Sequence, residues 1–370
     1  MKRKYGIDIL RILVTFFIII LHIDRRGLFN SVESGSTYYK VILAMDIICF
    51  VAVNVYGIIS GYVSYASYEN KPTNEYKFKK LVYLWLIVFF YGLITYIVGL
   101  KVGLTKVSPK TILTLFTIIS YRKIWYFSAY FLLFFFMPII NMYVKKTDNK
   151  MLLITLISFF LTYSVYQSFS MRLINDFTFL NAGYSVWWLA LLYYLGACIK
   201  KINLFGRVSN LALIASIIGL YIVTYLWTLY MPKIQWYFGG ALYSYYSPNY
   251  VLIAICYLVL FSRINIKNKF LINWVPKISA ACFGVYVMHV HPIIWDNIEF
   301  LFSFIVNYNV YLVPLITIGI AFIALLEMLS IDIVREMLFR ILKIDKFAEF
   351  IEKVMHSIIE LISRVVDYEE

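Results

Sequence analysis

The sequence predicts an all-α, polytopic membrane protein of about ten transmembrane helices, and three observations predict it. Hydrophobic residues make up 62% of the 370, only 15% are charged, and the mean hydropathy is +0.79, whereas a soluble domain is apolar in roughly half its residues. The apolar residues gather in runs of about 16 to 23, each long enough as a helix to cross a hydrocarbon layer about 30 Å thick. The loops between runs are short, so no soluble domain fits between them.

The expected spans are 7–23, 38–66, 81–100, 124–143, 151–168, 184–199, 210–230, 248–262, 278–300 and 309–330. The first run follows "MKRK" as a secretory signal would, but Asp8 and Arg11 interrupt its start. "HIDRRGLFN" offers no small-x-small cleavage pattern, so a retained helix is expected. An even number of spans puts both termini on one side. Most of the 34 Lys and Arg fall in segments that share the side of the N-terminus, among them Lys2, Arg3, Lys4, Lys77, Lys79, Lys80, Lys145, Lys146, Lys200, Lys201 and Lys269. That side is expected to be cytoplasmic.

The segment 101–123 contains "SPKTILTLFTIISYRK", whose Ser108 and Pro109 open a helix expected to lie in the membrane interface. The four cysteines, Cys49, Cys198, Cys256 and Cys282, fall inside spans with no metal-like spacing, which predicts packing and no metal site. Residues 1–330 form the expected transmembrane domain, and 331–370 a cytoplasmic tail. In that tail Phe347, Ile351, Val354, Ile358, Leu361 and Val365 recur in steps of four and three among charged residues, the pattern of an amphipathic helix. It could lie on the membrane, pack on inner loops or pair with a second copy. The formal charge of +14 is read as a topology signal, with anionic lipid and an anionic cytosolic ligand as partners. Basic residues dispersed over short loops argue against nucleic acid.

The candidate chemistry lies on the first span. Arg11 and His22 are eleven residues apart, which on a helix is about 20° beyond three full turns and about 16 Å along the axis. They share a face but do not touch, and Asp8 can pair with Arg11 one turn away. Snorkelling to the two headgroup layers would explain either residue alone. Their alignment favours a face turned into protein or a watery cavity, because a charge facing lipid costs at least about 2.5–3.5 kcal/mol at mid-span. Asp46 and Glu327 are two further acids within predicted spans.

"IDILRILVTFFIIILH" resembles the opening helix of the acyltransferase family 3 membrane proteins, whose hallmark is an Arg followed after ten residues by a His. Further stretches are similar to the family in order: "NVYGIISGYV" (54–63), "FKKLVYLW" (78–85), "WYFSAYFLLFFFMPII" (125–140), "YYLGACIKK" (193–201) and "ISAACFGVYVMHVHPII" (278–294). The resemblance covers almost the whole chain. It implies a bacterial inner-membrane O-acyltransferase that moves an acyl group, generally acetyl from cytosolic acetyl-CoA, to hydroxyls of a cell-surface glycan or its precursor.

The resemblance also implies roles. Arg11, positioned by Asp8, would take coenzyme A phosphates through its forked guanidinium. His22 would act as general base on an acceptor hydroxyl or as a transient acyl carrier. Lys79 and Lys80 are candidate phosphate partners, although relatives often have arginines there followed by a proline. Asn54 stands where many relatives have Asp. Ser60 could contact the donor. Tyr286 and His289 match the family's Tyr-x-x-His, while His291 also resembles its His-Pro ending. Trp125 and Tyr126 could stack on a sugar at the outer mouth, and Asp296 and Glu299 could bind one. Either the membrane part completes the reaction or a separate extracytoplasmic partner does, and a homodimer could form as well. The alternative reading is a flippase or transporter for a lipid-linked glycan, which would also use ionisable groups along a central cavity.

Overall fold

A computed structural model describes residues 3–70, 76–116, 124–170, 179–234, 239–296 and 301–367. Every described regular element is helical: α1 (Tyr5–Ile23), α2 (Thr37–Cys49), α3 (Ala52–Asn70), α4 (Phe78–Lys101), α5 (Pro109–Phe116), α6 (Trp125–Phe134), α7 (Met137–Lys146), α8 (Asn149–Phe159) and α9 (Gln167–Ser170). After these come α10 (Val186–Ile202), α11 (Asn210–Ile234), α12 (Pro248–Ser262), α13 (Lys269–His289), α14 (Pro292–Trp295), α15 (Val313–Ile341) and α16 (Ile344–Asp367).

All ten expected spans are helical over most of their length. Among the described residues, seven continuous stretches are long and apolar enough to cross a membrane, and α6 with α7 makes an eighth, bent by 57°. The bend falls at Phe135–Phe136, where Pro138 near the start of α7 cannot extend the preceding helix. The chain is therefore an all-α, multi-pass membrane protein.

The boundaries shift most at two of the expected spans. The span expected at 278–300 begins earlier, at Lys269, and stops at His289, because Pro292 opens a new turn, α14. The span expected at 309–330 is the first part of α15, which continues to Ile341. Its added charges are neutralised internally: Arg335 and Asp332 are buried and bonded at 2.7 and 3.0 Å, and Tyr91 donates to Asp332 at 2.7 Å.

α1 occupies the centre, packed by α2, α3, α12, α13 and α15. Beside it α3 and α10 cross at backbone contact. A Cβ on Gly61 would lie 1.8 Å from the Tyr193 carbonyl oxygen, and one on Gly196 2.0 Å from that of Ile58. With Gly57 one turn before Gly61, this is a small-residue seam that lets dispersion act between whole backbones. The start of α1 and the start of α16 lie at one end of the bundle. There Lys4 donates to Tyr62 near the end of α3, and Lys79 at the start of α4 pairs with Asp345 and Glu349 of α16 at 2.8 and 2.5 Å. This is the basic end that the charge distribution marks as cytoplasmic, and it is called the inner end below.

Candidate active site

The polar stripe of α1 faces protein. At its inner end the Asp8 carboxylate is buried and accepts from Arg3 Nε at 2.7 Å, Arg11 Nη1 at 3.2 Å and Ser279 Oγ of α13 at 3.1 Å. Two guanidiniums thus share one carboxylate, which leaves the site net positive. Arg11 retains 28% of its side-chain exposure and makes no other side-chain hydrogen bond among the described residues. Most of its fork of donors remains available to an anion. Directly above, Thr15 and Tyr56 both donate to the Arg11 backbone carbonyl, at 2.8 and 3.1 Å, fixing this turn of α1 against α3.

Toward the outer end, His22 Nδ1 lies 2.9 Å from His289 Nε2, and His289 Nδ1 lies 2.8 Å from the Val285 carbonyl oxygen. A carbonyl only accepts, so His289 Nδ1 carries a proton. In the neutral ring its Nε2 is then an acceptor, and His22 Nδ1 must donate to it. The relay fixes the His22 tautomer and leaves Nε2 of His22 with a free lone pair, the atom a general base needs. His22 is half-buried. Its ring meets Trp295 edge-on at 4.6 Å, and the Arg26 guanidinium lies 5.5 Å from the centre of the Trp295 ring.

Between these two ends runs a column of aromatic side chains. Lys80 Nζ donates to the Tyr130 hydroxyl at 3.3 Å. Tyr130 is one turn from Tyr126 on α6. The Tyr126 ring lies 6.1 Å from those of Tyr56 and Tyr286, and Tyr286 lies 6.1 Å from His289. Contacts therefore continue from a lysine at the inner end, through α6 and α13, to the paired histidines and Trp295.

The structure brings together Asp8 with Arg11, and His22 with His289, and it joins Lys80, Tyr126 and Tyr286 into one column. It separates the two adjacent lysines: Lys79 is held by the tail helix, with its backbone N–H also on Glu352 at 3.0 Å, whereas Lys80 turns to Tyr130. Ser60 donates within its own helix to Tyr56 at 2.9 Å and stands beside the Tyr126 hydroxyl. Tyr126, expected at the outer mouth, instead lies in the column with its hydroxyl buried. The cause is that α6 starts beside Tyr286 of α13. Trp125 packs edge-on against Tyr184 at 4.8 Å and near Tyr245. His289 meets His22, while His291 follows the end of α13. Asp296 is exposed next to Trp295, and Glu299 lies outside the described residues.

Several groups escaped the sequence reading. Arg3 joins the site from just before α1, five residues from Asp8, while Ser279, Tyr56, Tyr130, Arg26 and Trp295 join it through tertiary contacts. Asn54 holds the Trp188 indole at 3.1 Å and donates to the Tyr245 carbonyl at 2.6 Å, a structural use of the amide. Asp46 receives Arg25 at 2.7 Å and the Tyr243 hydroxyl. Glu327 is exposed on α15. Among the described residues, no cluster of three or more His, Cys, Asp or Glu could hold a metal ion.

Over residues 4–328 the chain matches the family described as an acyltransferase domain. No curated protein and no solved structure matches it significantly.

Proposed function

The chain belongs to the acyltransferase family 3, and on that premise we propose that it transfers acetyl from cytosolic acetyl-CoA to hydroxyls of a cell-surface polysaccharide or its lipid-linked precursor, across a bacterial plasma membrane. One observation carries the reading: a continuous polar and aromatic column joins cation-rich inner residues to a histidine whose free nitrogen is set by a hydrogen-bond relay.

The division of labour follows from charge and reach. Arg11 and Lys80 bind the donor phosphates, Arg11 through a fork and Lys80 as a point charge. The thin pantetheine arm lies along the column with its thioester near His22. An acceptor hydroxyl entering past Trp295 gives its proton to His22 Nε2 as its oxygen attacks the thioester carbonyl carbon. When the carbon–sulfur bond breaks, His22 returns that proton to the leaving sulfur. The products are an ester and free coenzyme A, and His22 ends as it began. His289 does not touch substrate in this scheme; it positions His22.

The test is chemical analysis of surface glycan from cells carrying the wild-type protein or His22→Ala at equal membrane abundance. Alkali-labile acetyl esters are expected in the first and absent in the second, with the glycan itself present in both. Equal ester content would contradict the reading. Loss of the glycan from the surface would favour transport instead.

A further inference from the structure

Among the described residues, the hydroxyl oxygens of Tyr126 and Tyr286 are buried and have no partner at full hydrogen-bond geometry, although Ser60 stands near the first and the N–H groups of Tyr126 and Phe127 near the second. Buried hydroxyls are almost always paired, and an exception in a native fold calls for an explanation. Both sit on the column, their rings 6.1 Å apart and nearly perpendicular, and Tyr286 is one turn from His289 on the helix that holds the histidine relay. Their neighbours constrain what they can do. The Tyr286 oxygen faces the first-turn N–H groups of Tyr126 and Phe127; these are donors, so the hydroxyl proton must point elsewhere. Tyr126 stands beside Ser60, which gives its proton to the Tyr56 carbonyl and whose oxygen lies outside hydrogen-bond geometry for the Tyr126 hydroxyl.

We infer that these two hydroxyls are catalytic residues that donate hydrogen bonds to the carbonyl oxygen of the donor thioester. The inference rests on the acyl-transfer reading above. Attack by the acceptor oxygen forms a carbon–oxygen bond and moves the carbonyl π electrons onto oxygen, creating an oxyanion beside the two buried hydroxyls. Preorganised donors at that atom are a major source of rate in acyl transfer. Collapse of the oxyanion restores the carbonyl and expels sulfur, which takes the proton from His22. The two hydroxyls neither gain nor lose a proton over the cycle. Buried hydroxyls without close partners suit a charge that forms only in the transition state. This assigns Tyr126 to the acyl group instead of the sugar.

The experiment compares full-length wild type, Tyr126→Phe, Tyr286→Phe and the double variant in detergent. Acetyl-CoA serves as donor, and membranes from cells lacking the protein supply the acceptor. Each single change is expected to lower kcat about 100-fold, with KM for acetyl-CoA and the Kd for coenzyme A within two-fold of wild type. Thermal stability should stay equal or rise, because an unpaired hydroxyl has been removed. Acetyl-CoA labelled with carbon-13 at the carbonyl supplies a direct readout: its bound infrared band should lie at lower frequency in wild type than in the double variant. Unchanged kcat, or a raised KM at constant kcat, would overturn the assignment while leaving the acyltransferase reading intact. A wild type that transfers no acetyl would overturn both.

Discussion

Which nitrogen of His22 carries its proton decides whether the side chain can act as a base, and that depends on a residue 267 positions away in sequence. His289→Phe should therefore lower kcat about 10- to 100-fold, the cost of losing an outer partner that orients a histidine in metal sites, without changing donor KM. Steady-state kinetics at fixed acceptor checks this. Lys80→Ala should raise donor KM several-fold, whereas Lys79→Ala should leave it unchanged, since Lys79 is committed to Asp345 and Glu349. The sequence could not separate these neighbours, because identical side chains about 100° apart on a helix differ only in what surrounds them. Asp8, Arg11 and His22 were legible because helical periodicity alone puts them on one face. Tyr130 and Trp295 were not, since in a chain with 33 tyrosines and 8 tryptophans an aromatic residue carries little information by type. Asp332→Ala should destabilise the protein by about 3–5 kcal/mol by leaving Arg335 buried without its partner. Replacing both by leucine and methionine should recover most of that in thermal unfolding.

Among the elements, helices were easier to read than their ends. Hydropathy falls where charges enter, so the span expected at 309–330 stopped short of Asp332 and Arg335; α15 continues because these charges are bonded to each other and to Tyr91. Conversely the apolar run 278–300 conceals a break, for Pro292 ends α13's continuity without lowering hydropathy. The seam between α3 and α10 depends on glycine. Gly196→Leu should force the helices apart at Ile58, seen as loss of folded protein in detergent, whereas Gly219→Leu on α11 has open space and should be tolerated. The tail's periodicity predicted an amphipathic helix, and α16 is one: Ala348 is buried against the body and Met355 packs near Phe78. Phe347, Phe350, Leu361 and Ile362 stay exposed. Exposed ion pairs such as Lys79–Asp345 are screened by solvent and add little to stability. Removing residues 344–370 should therefore lower thermal stability mainly through lost packing around Phe78 and Ala348, and high salt should mimic little of it.

For the whole molecule, the account requires a donor held from one face of the membrane to react with an acceptor from the other. The fold supplies the means: a central helix packed on five sides, a net positive cluster at its inner end, and a basic nitrogen three turns further along. The measurement that tests this most directly uses purified protein in vesicles of one orientation, with labelled acetyl-CoA sealed on the side of Arg11 and Lys80 and glycan acceptor only on the side of Trp295. The account predicts label on the acceptor from wild type and none from His22→Ala, with coenzyme A bound equally by both. Label transferred only when donor and acceptor share a compartment, or transferred equally by His22→Ala, would contradict it.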